Sequence, residues 1–93
     1  MQWQDIRLNY PNQWLIIEAL SAHTEKNAQR YLEKLAVIEP CANAKMAMQQ
    51  YRTLHGIYPE REFYFVHTSR EQLNIIERQW LGIRKNHAII NER

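Results

Sequence analysis

Residue types able to do chemistry gather at two places in this 93-residue chain. Cys41 lies between Pro40 and a predicted helix start, where unpaired amides can lower a thiol's pKa and make it nucleophilic. A nucleophile also needs a base within hydrogen-bond reach, and nothing in the sequence brings His23, His55 or His67 to it, so a structural cysteine is preferred. The second place is His67-Thr-Ser-Arg-Glu. There the His67 ring, the Thr68 and Ser69 hydroxyls and the charged pair Arg70 and Glu71 combine in a predicted loop, where binding residues are often displayed. The same residues also suit plain turn chemistry, with Ser69 and Gln72 at capping-box spacing if a helix begins there. His23, His55, His67 and His87 show no ligand spacing such as His-x-x-x-His, so no metal site is expected. Glu60, Glu62, Glu71 and Glu77 read as surface charges rather than as a paired acid and base. No catalytic residue and no cofactor is assigned, and the chain reads as a non-enzyme.

A binding reading has more to work with. Phe63 and Phe65 alternate on one strand and can act as stacking platforms for single-stranded RNA or DNA, with Arg61, Arg70, Arg78, Arg84 and Lys85 meeting phosphates. Against this, alternating phenylalanines in a small protein usually belong to the core, and no RNP-type glycine-aromatic pattern is present. Twelve basic and ten acidic residues leave a net charge of +2, and the basic residues are interspersed with acids rather than run together. Trp80, with Trp3 and Trp14, offers more large apolar surface than one helix obviously covers. That surplus points to a protein partner or a homodimer, formed face to face or by pairing an edge strand, with complete burial inside one chain as the alternative.

The elements that must position these residues follow from pattern. From Ala44 to His55 the stripe Ala44, Ala47, Met48, Tyr51 and Leu54 predicts an amphipathic helix, capped by Asn43 and stopped by a left-handed turn at Gly56. Trp14-Leu-Ile-Ile-Glu-Ala-Leu predicts a strand in the interior of a sheet, and Glu62-Phe-Tyr-Phe-Val-His-Thr predicts a second, aromatic one. Leu35-Ala-Val-Ile-Glu is a third. Its approach through Ala28, Tyr31 and Leu32 fits either a long hairpin, which is favoured, or a short helix. Residues 73–83 match both periods as well, and Gly82 with the β-branched residues favours a strand. Residues 86–93 are expected to form a frayed tail.

Size and composition bound the rest. One domain spanning residues 1–93 is expected, since the chain is too short for a second core. Cys41 is the only cysteine, so no intramolecular disulfide can form and a reducing cytoplasm is the default. No signal peptide or membrane-spanning stretch is evident, and two glycines leave no phosphate-binding loop. The fold expected is α+β: a small antiparallel or mixed sheet of about four strands, ordered β-β-α-β-β, with one main amphipathic helix on one face. The segments Tyr58-Pro-Glu-Arg-Glu-Phe-Tyr-Phe-Val-His-Thr-Ser-Arg-Glu and Glu77-Arg-Gln-Trp-Leu-Gly-Ile-Arg, together with Tyr10-Pro-Asn-Gln-Trp and Leu35-Ala-Val-Ile-Glu, resemble a family of short uncharacterised bacterial proteins. The resemblance implies a stand-alone bacterial cytoplasmic protein and transfers no activity, catalytic residue or binding residue. The function expected is a protein-protein interaction module or homodimer, with the nucleic-acid binder as the alternative.

Overall fold

Two buried faces, each covered by its own helix, organise the protein. The computed structural model describes the backbone of residues 1–80 and 84–90 and the side chains of residues 1–76. In chain order the elements are α1 (Trp3–Asn9), β1 (Trp14–Thr24), β2 (Gln29–Cys41), α2 (Ala44–Ile57), β3 (Phe63–His67), β4 (Ile75–Trp80) and β5 (Arg84–Ile90). The strands form one antiparallel sheet in the order β3-β1-β2-β4-β5. The α+β class is as expected from the sequence, with one strand and one helix more than the pattern announced.

The long hairpin, rather than the short helix, carries residues 14–41. Its tip is tied by the Ala28 N–H donating to the Glu25 carbonyl and the Glu25 N–H donating to the Gln29 carbonyl, both at 2.9 Å. Ala28 sits there at φ 66°, a position that normally selects glycine because a Cβ is crowded in the left-handed region. Register shifts between Ile16 and Ile17 and around Ser21 mark bulges that bend the hairpin.

One face of the sheet carries Leu15, Ile17, Leu35, Tyr64, Val66 and Ile75, packed with Trp3 and Ile6 of α1. The pattern left this face without a cover, and α1 supplies it. Trp3 and Ile6, three residues apart, fall on one side of this short helix. The Asp5 carboxylate accepts the Gln2 N–H at 3.1 Å, satisfying a free amide at the helix start, and Pro11 follows the helix end. The chain terminus is also tied down, because Met1 exchanges backbone bonds of 2.9 Å in both directions with Leu35.

The opposite face carries Trp14, Ile16, Glu18, Phe63 and Phe65 under α2. Asn43 caps this helix by accepting the Met46 N–H at 2.9 Å, as its position predicts. Ala47 is fully buried, and the Tyr51 ring meets Phe65 with centroids 5.5 Å apart. Gly56 does not make the predicted left-handed stop. It stays within α2, which runs on to Ile57, and Pro59 instead limits the helix.

At the carboxyl end, Ile75–Trp80 is a strand, as favoured; residues 81–83 of that expectation lie outside the described residues. The frayed tail expected from residue 86 is corrected in part, because Arg84–Ile90 forms β5, paired with β4 from Ile75↔Ile90 to Trp80↔Arg84. Hairpin pairing with a neighbouring strand supplies backbone bonds that the tail's sparse apolar content does not signal.

Candidate interaction surface

β3 and the turn that follows it bring together most of the residues singled out from the sequence. His67 ends the strand, and its Nδ1 lies 2.8 Å from the Ser69 hydroxyl and accepts the Ser69 N–H at 3.2 Å. The His67 carbonyl accepts the Arg70 N–H at 3.2 Å. These bonds close a tight turn through the His67 ring, the Ser69 hydroxyl and the Arg70 backbone, and no helix begins at Ser69. α1 grips the same turn from the other side. Trp3 Nε1 donates to the Arg70 carbonyl at 3.0 Å, Gln4 to the Glu71 carbonyl at 2.8 Å and Arg7 Nε to the Thr68 carbonyl at 3.0 Å. Buried Thr68 completes the junction, its hydroxyl accepting the Gln13 N–H at 3.0 Å. Nothing in the sequence signals this burial, because a threonine following a strand suits an exposed turn equally well.

Phe63 and Phe65 are placed differently from a stacking platform. Phe63 is 4% exposed, covered by Tyr58 at a centroid distance of 6.4 Å and by the Arg61 guanidinium 4.8 Å above its ring. Phe65 lies between Trp14, at 6.3 Å, and Tyr51 of α2. Phe63 offers no bare face to a base, and Phe65 is half-buried against these two rings. Arg61 is also engaged, donating through Nε and Nη2 to the Glu18 carboxylate at 2.9 and 2.7 Å. That hydrogen bond holds the Glu18 carboxyl below its ordinary pKa even though burial pushes the other way, as expected for a charge-assisted pair. The Trp80 side chain, and those of Arg78, Arg84 and Lys85, lie outside the described residues.

What β3 does present is its edge. Among the described residues it pairs with β1 on one side only, from Trp14↔His67 to Glu18↔Phe63, with no shift of register. The Glu62 carbonyl accepts the Ala19 N–H at 2.9 Å and the Thr68 N–H donates to the Gln13 carbonyl at 3.0 Å. Backbone groups alternate sides along a strand, so Glu62, Tyr64, Val66 and Thr68 bond towards β1. The N–H and C=O groups of Phe63 and Phe65 and the N–H of His67 therefore point outward, while the His67 carbonyl is engaged by the Arg70 N–H. Proteins commonly guard such an edge with lysine, proline or a bulge, and Phe63–His67 contains none of these.

Two further clusters complete the inventory. On the other side of the sheet from α2, Arg30 Nε and Nη2 donate to Glu62 at 2.7 and 2.8 Å, and the Tyr64 hydroxyl donates to the same carboxylate. Burial raises the Glu62 pKa, but the bonds from Arg30 and Tyr64 outweigh it and leave the carboxyl below its ordinary value. Near the hairpin tip, His23 Nε2 meets Glu25 at 2.8 Å and Nδ1 meets Glu33 at 2.7 Å. Both ring nitrogens facing carboxylates favour the imidazolium, and hydrogen bonds to Glu25, then Glu33, raise its pKa.

Cys41 lies in β2 opposite Trp14. Burial, with the Glu39 carboxylate nearby, pushes its thiol above the ordinary pKa, the reverse of what a nucleophile needs. Among the described residues no three His, Cys, Asp or Glu side chains converge so as to hold a metal ion, and no helix is long and apolar enough to cross a membrane. No family model matches the chain, and no match was found among the curated proteins or among the solved structures. The resemblance suggested by the Tyr58-Pro and Trp80-Leu-Gly segments thus has no family model behind it.

Proposed function

We propose that this chain is a non-enzymatic protein-protein interaction module of the bacterial cytoplasm, and that the outer edge of β3 receives an extended strand of its partner. The observation that carries this reading is the unguarded edge: five residues, Phe63–His67, flat in register, without lysine, arginine or carboxylate and rich in β-formers. Strand addition to such an edge gains affinity from main-chain hydrogen bonds at Phe63, Phe65 and His67, and selectivity from the side chains of the incoming strand. α1 and α2 cover the two faces on either side of β3. They leave backbone pairing in the plane of the sheet as the mode of contact this strand offers.

The turn that follows gives the edge a fixed end. Trp3, Gln4 and Arg7 hold the carbonyls of Arg70, Glu71 and Thr68, so β3 is prearranged before a partner arrives, which lowers the ordering cost of binding. The test is affinity purification of the tagged chain from its native host at low salt, with nuclease, beside the variant His67→Pro. Proline removes the outward N–H of residue 67 and is tolerated at an edge position. The reading expects a protein that survives nuclease and is lost with the variant. Recovery of nucleic acid alone, or equal recovery of protein by both forms, overturns it.

A further inference from the structure

We infer that the strand received by this edge is β3 of a second copy of the chain, paired antiparallel about a two-fold axis beside Phe65. The inference rests on the edge reading above and adds the identity of the occupant. Phe63, Phe65 and His67 are the residues whose backbone groups point outward, and they are spaced symmetrically about Phe65. A two-fold at that residue sets Phe65 opposite itself and Phe63 of one copy opposite His67 of the other. The Phe65 N–H and C=O groups then meet those of the mate, and each His67 N–H meets the Phe63 C=O of the other copy.

Side chains agree with the same register. Tyr64 of one copy falls opposite Val66 of the other, on the face that carries α1, and both are apolar and buried within each chain. Phe65 meets Phe65 on the α2 face, an aromatic cross-strand pair of the kind that stabilises sheets. No two like charges oppose each other along the five residues.

α2 supplies an independent indication. Gln50 reaches Glu39 of β2 at 3.3 Å, whereas Tyr51 reaches Phe65 of β3, which fixes which flank of the helix looks over the open edge. At about 100° per residue that flank carries Met48 and His55. Met48 is 37% exposed, and the His55 ring stacks on Tyr51 at 5.8 Å. A two-fold perpendicular to the sheet places both copies of α2 on one face, antiparallel. α2 spans β3, β1 and β2, so pairing sets the two helices on one face of the continued sheet with their Met48 flanks turned towards each other across the two-fold.

The experiment is sedimentation velocity of the full chain over a wide concentration range, comparing the wild type with His67→Pro and Met48→Glu. A dimer is expected, weakened roughly thirtyfold by His67→Pro through the loss of two symmetry-related backbone bonds. Met48→Glu should weaken it too, by setting like charges across the two-fold at an already exposed position. Far-ultraviolet circular dichroism and tryptophan fluorescence should show both variants folded. A monomer at every concentration, or a dimer indifferent to Met48→Glu and to a folded His67→Pro, overturns the inference. If the chain alone is monomeric while a host protein protects the Phe63, Phe65 and His67 amides, self-pairing falls and the edge reading stands. If neither occurs, both fall.

Discussion

Replacing Ile6 with alanine tests whether α1 holds one face of the sheet. Ile6 has no exposed surface and packs among Leu15, Ile17, Leu35 and Ile75. The substitution removes three carbon atoms, about 2.4 kcal/mol at about 0.8 kcal/mol for each buried methylene-sized group. Incomplete collapse of the cavity adds about 1 kcal/mol, for a total of about 3–4 kcal/mol. That is a large share of the roughly 5–15 kcal/mol that stabilises a typical domain. A domain of this size loses about 4–8 °C of Tm per kcal/mol, so Tm should fall by about 12–30 °C. Urea and thermal melts followed by tryptophan fluorescence measure this directly, because Trp3 lies in the same cluster. Leu8, on the outer side of the same helix and 81% exposed, provides the control, and Leu8→Ala should stay within about 0.5 kcal/mol of the wild type. A loss below about 1 kcal/mol for Ile6→Ala, or equal losses for the two variants, refutes the packing of α1 and with it the support for the turn after β3.

Acid should destabilise the protein through Glu18 and Glu62, whose carboxyls are held below their ordinary pKa in the folded state. A depressed folded pKa gives stability that is full above the unfolded value, about 4.3, and lost as pH falls through the folded one. Urea midpoints at pH 7 and pH 3 should therefore differ less in a folded Glu18→Gln variant than in the wild type; an unchanged difference contradicts the ion-pair account. Ala28→Gly should stabilise the hairpin tip by up to about 1 kcal/mol, because glycine relieves the left-handed backbone while adding some unfolded-state freedom. A destabilisation in the same urea melts counts against that geometry. His67→Pro should leave the fold intact and weaken association, read by circular dichroism together with sedimentation.

Local pattern made some of this fold legible and long-range pairing hid the rest. Asn43 and the Ala47, Tyr51 and Leu54 stripe announced α2 because capping and helical spacing act within a few residues. Residues 14–20 and 62–68 announced β1 and β3 through their β-branched and aromatic content. α1 escaped because a helix of seven residues is marginal by itself and forms here through the docking of Trp3 and Ile6 on a distant surface. Gly56 misled for a related reason: a glycine near a helix end often stops it, yet here the helix continues one residue further. The alternation of Phe63 and Phe65 showed that both rings share a face. Which face α2 covers, and that Arg61 is spent on Glu18, depended on pairings across the sheet that no local window contains. The open edge was hidden most completely, since β3 becomes an edge only through the order β3-β1-β2-β4-β5.

Amide hydrogen exchange along β3 tests the central claim most directly. Tyr64 and Val66 bond to β1 in the single chain, whereas Phe63, Phe65 and His67 point their N–H groups outward. The account predicts that the outward three are protected nearly as well as the inward two in the associated protein, and lose that protection on dilution or partner removal. Fast exchange at Phe63, Phe65 and His67 under every condition, while Tyr64 and Val66 remain protected, contradicts it.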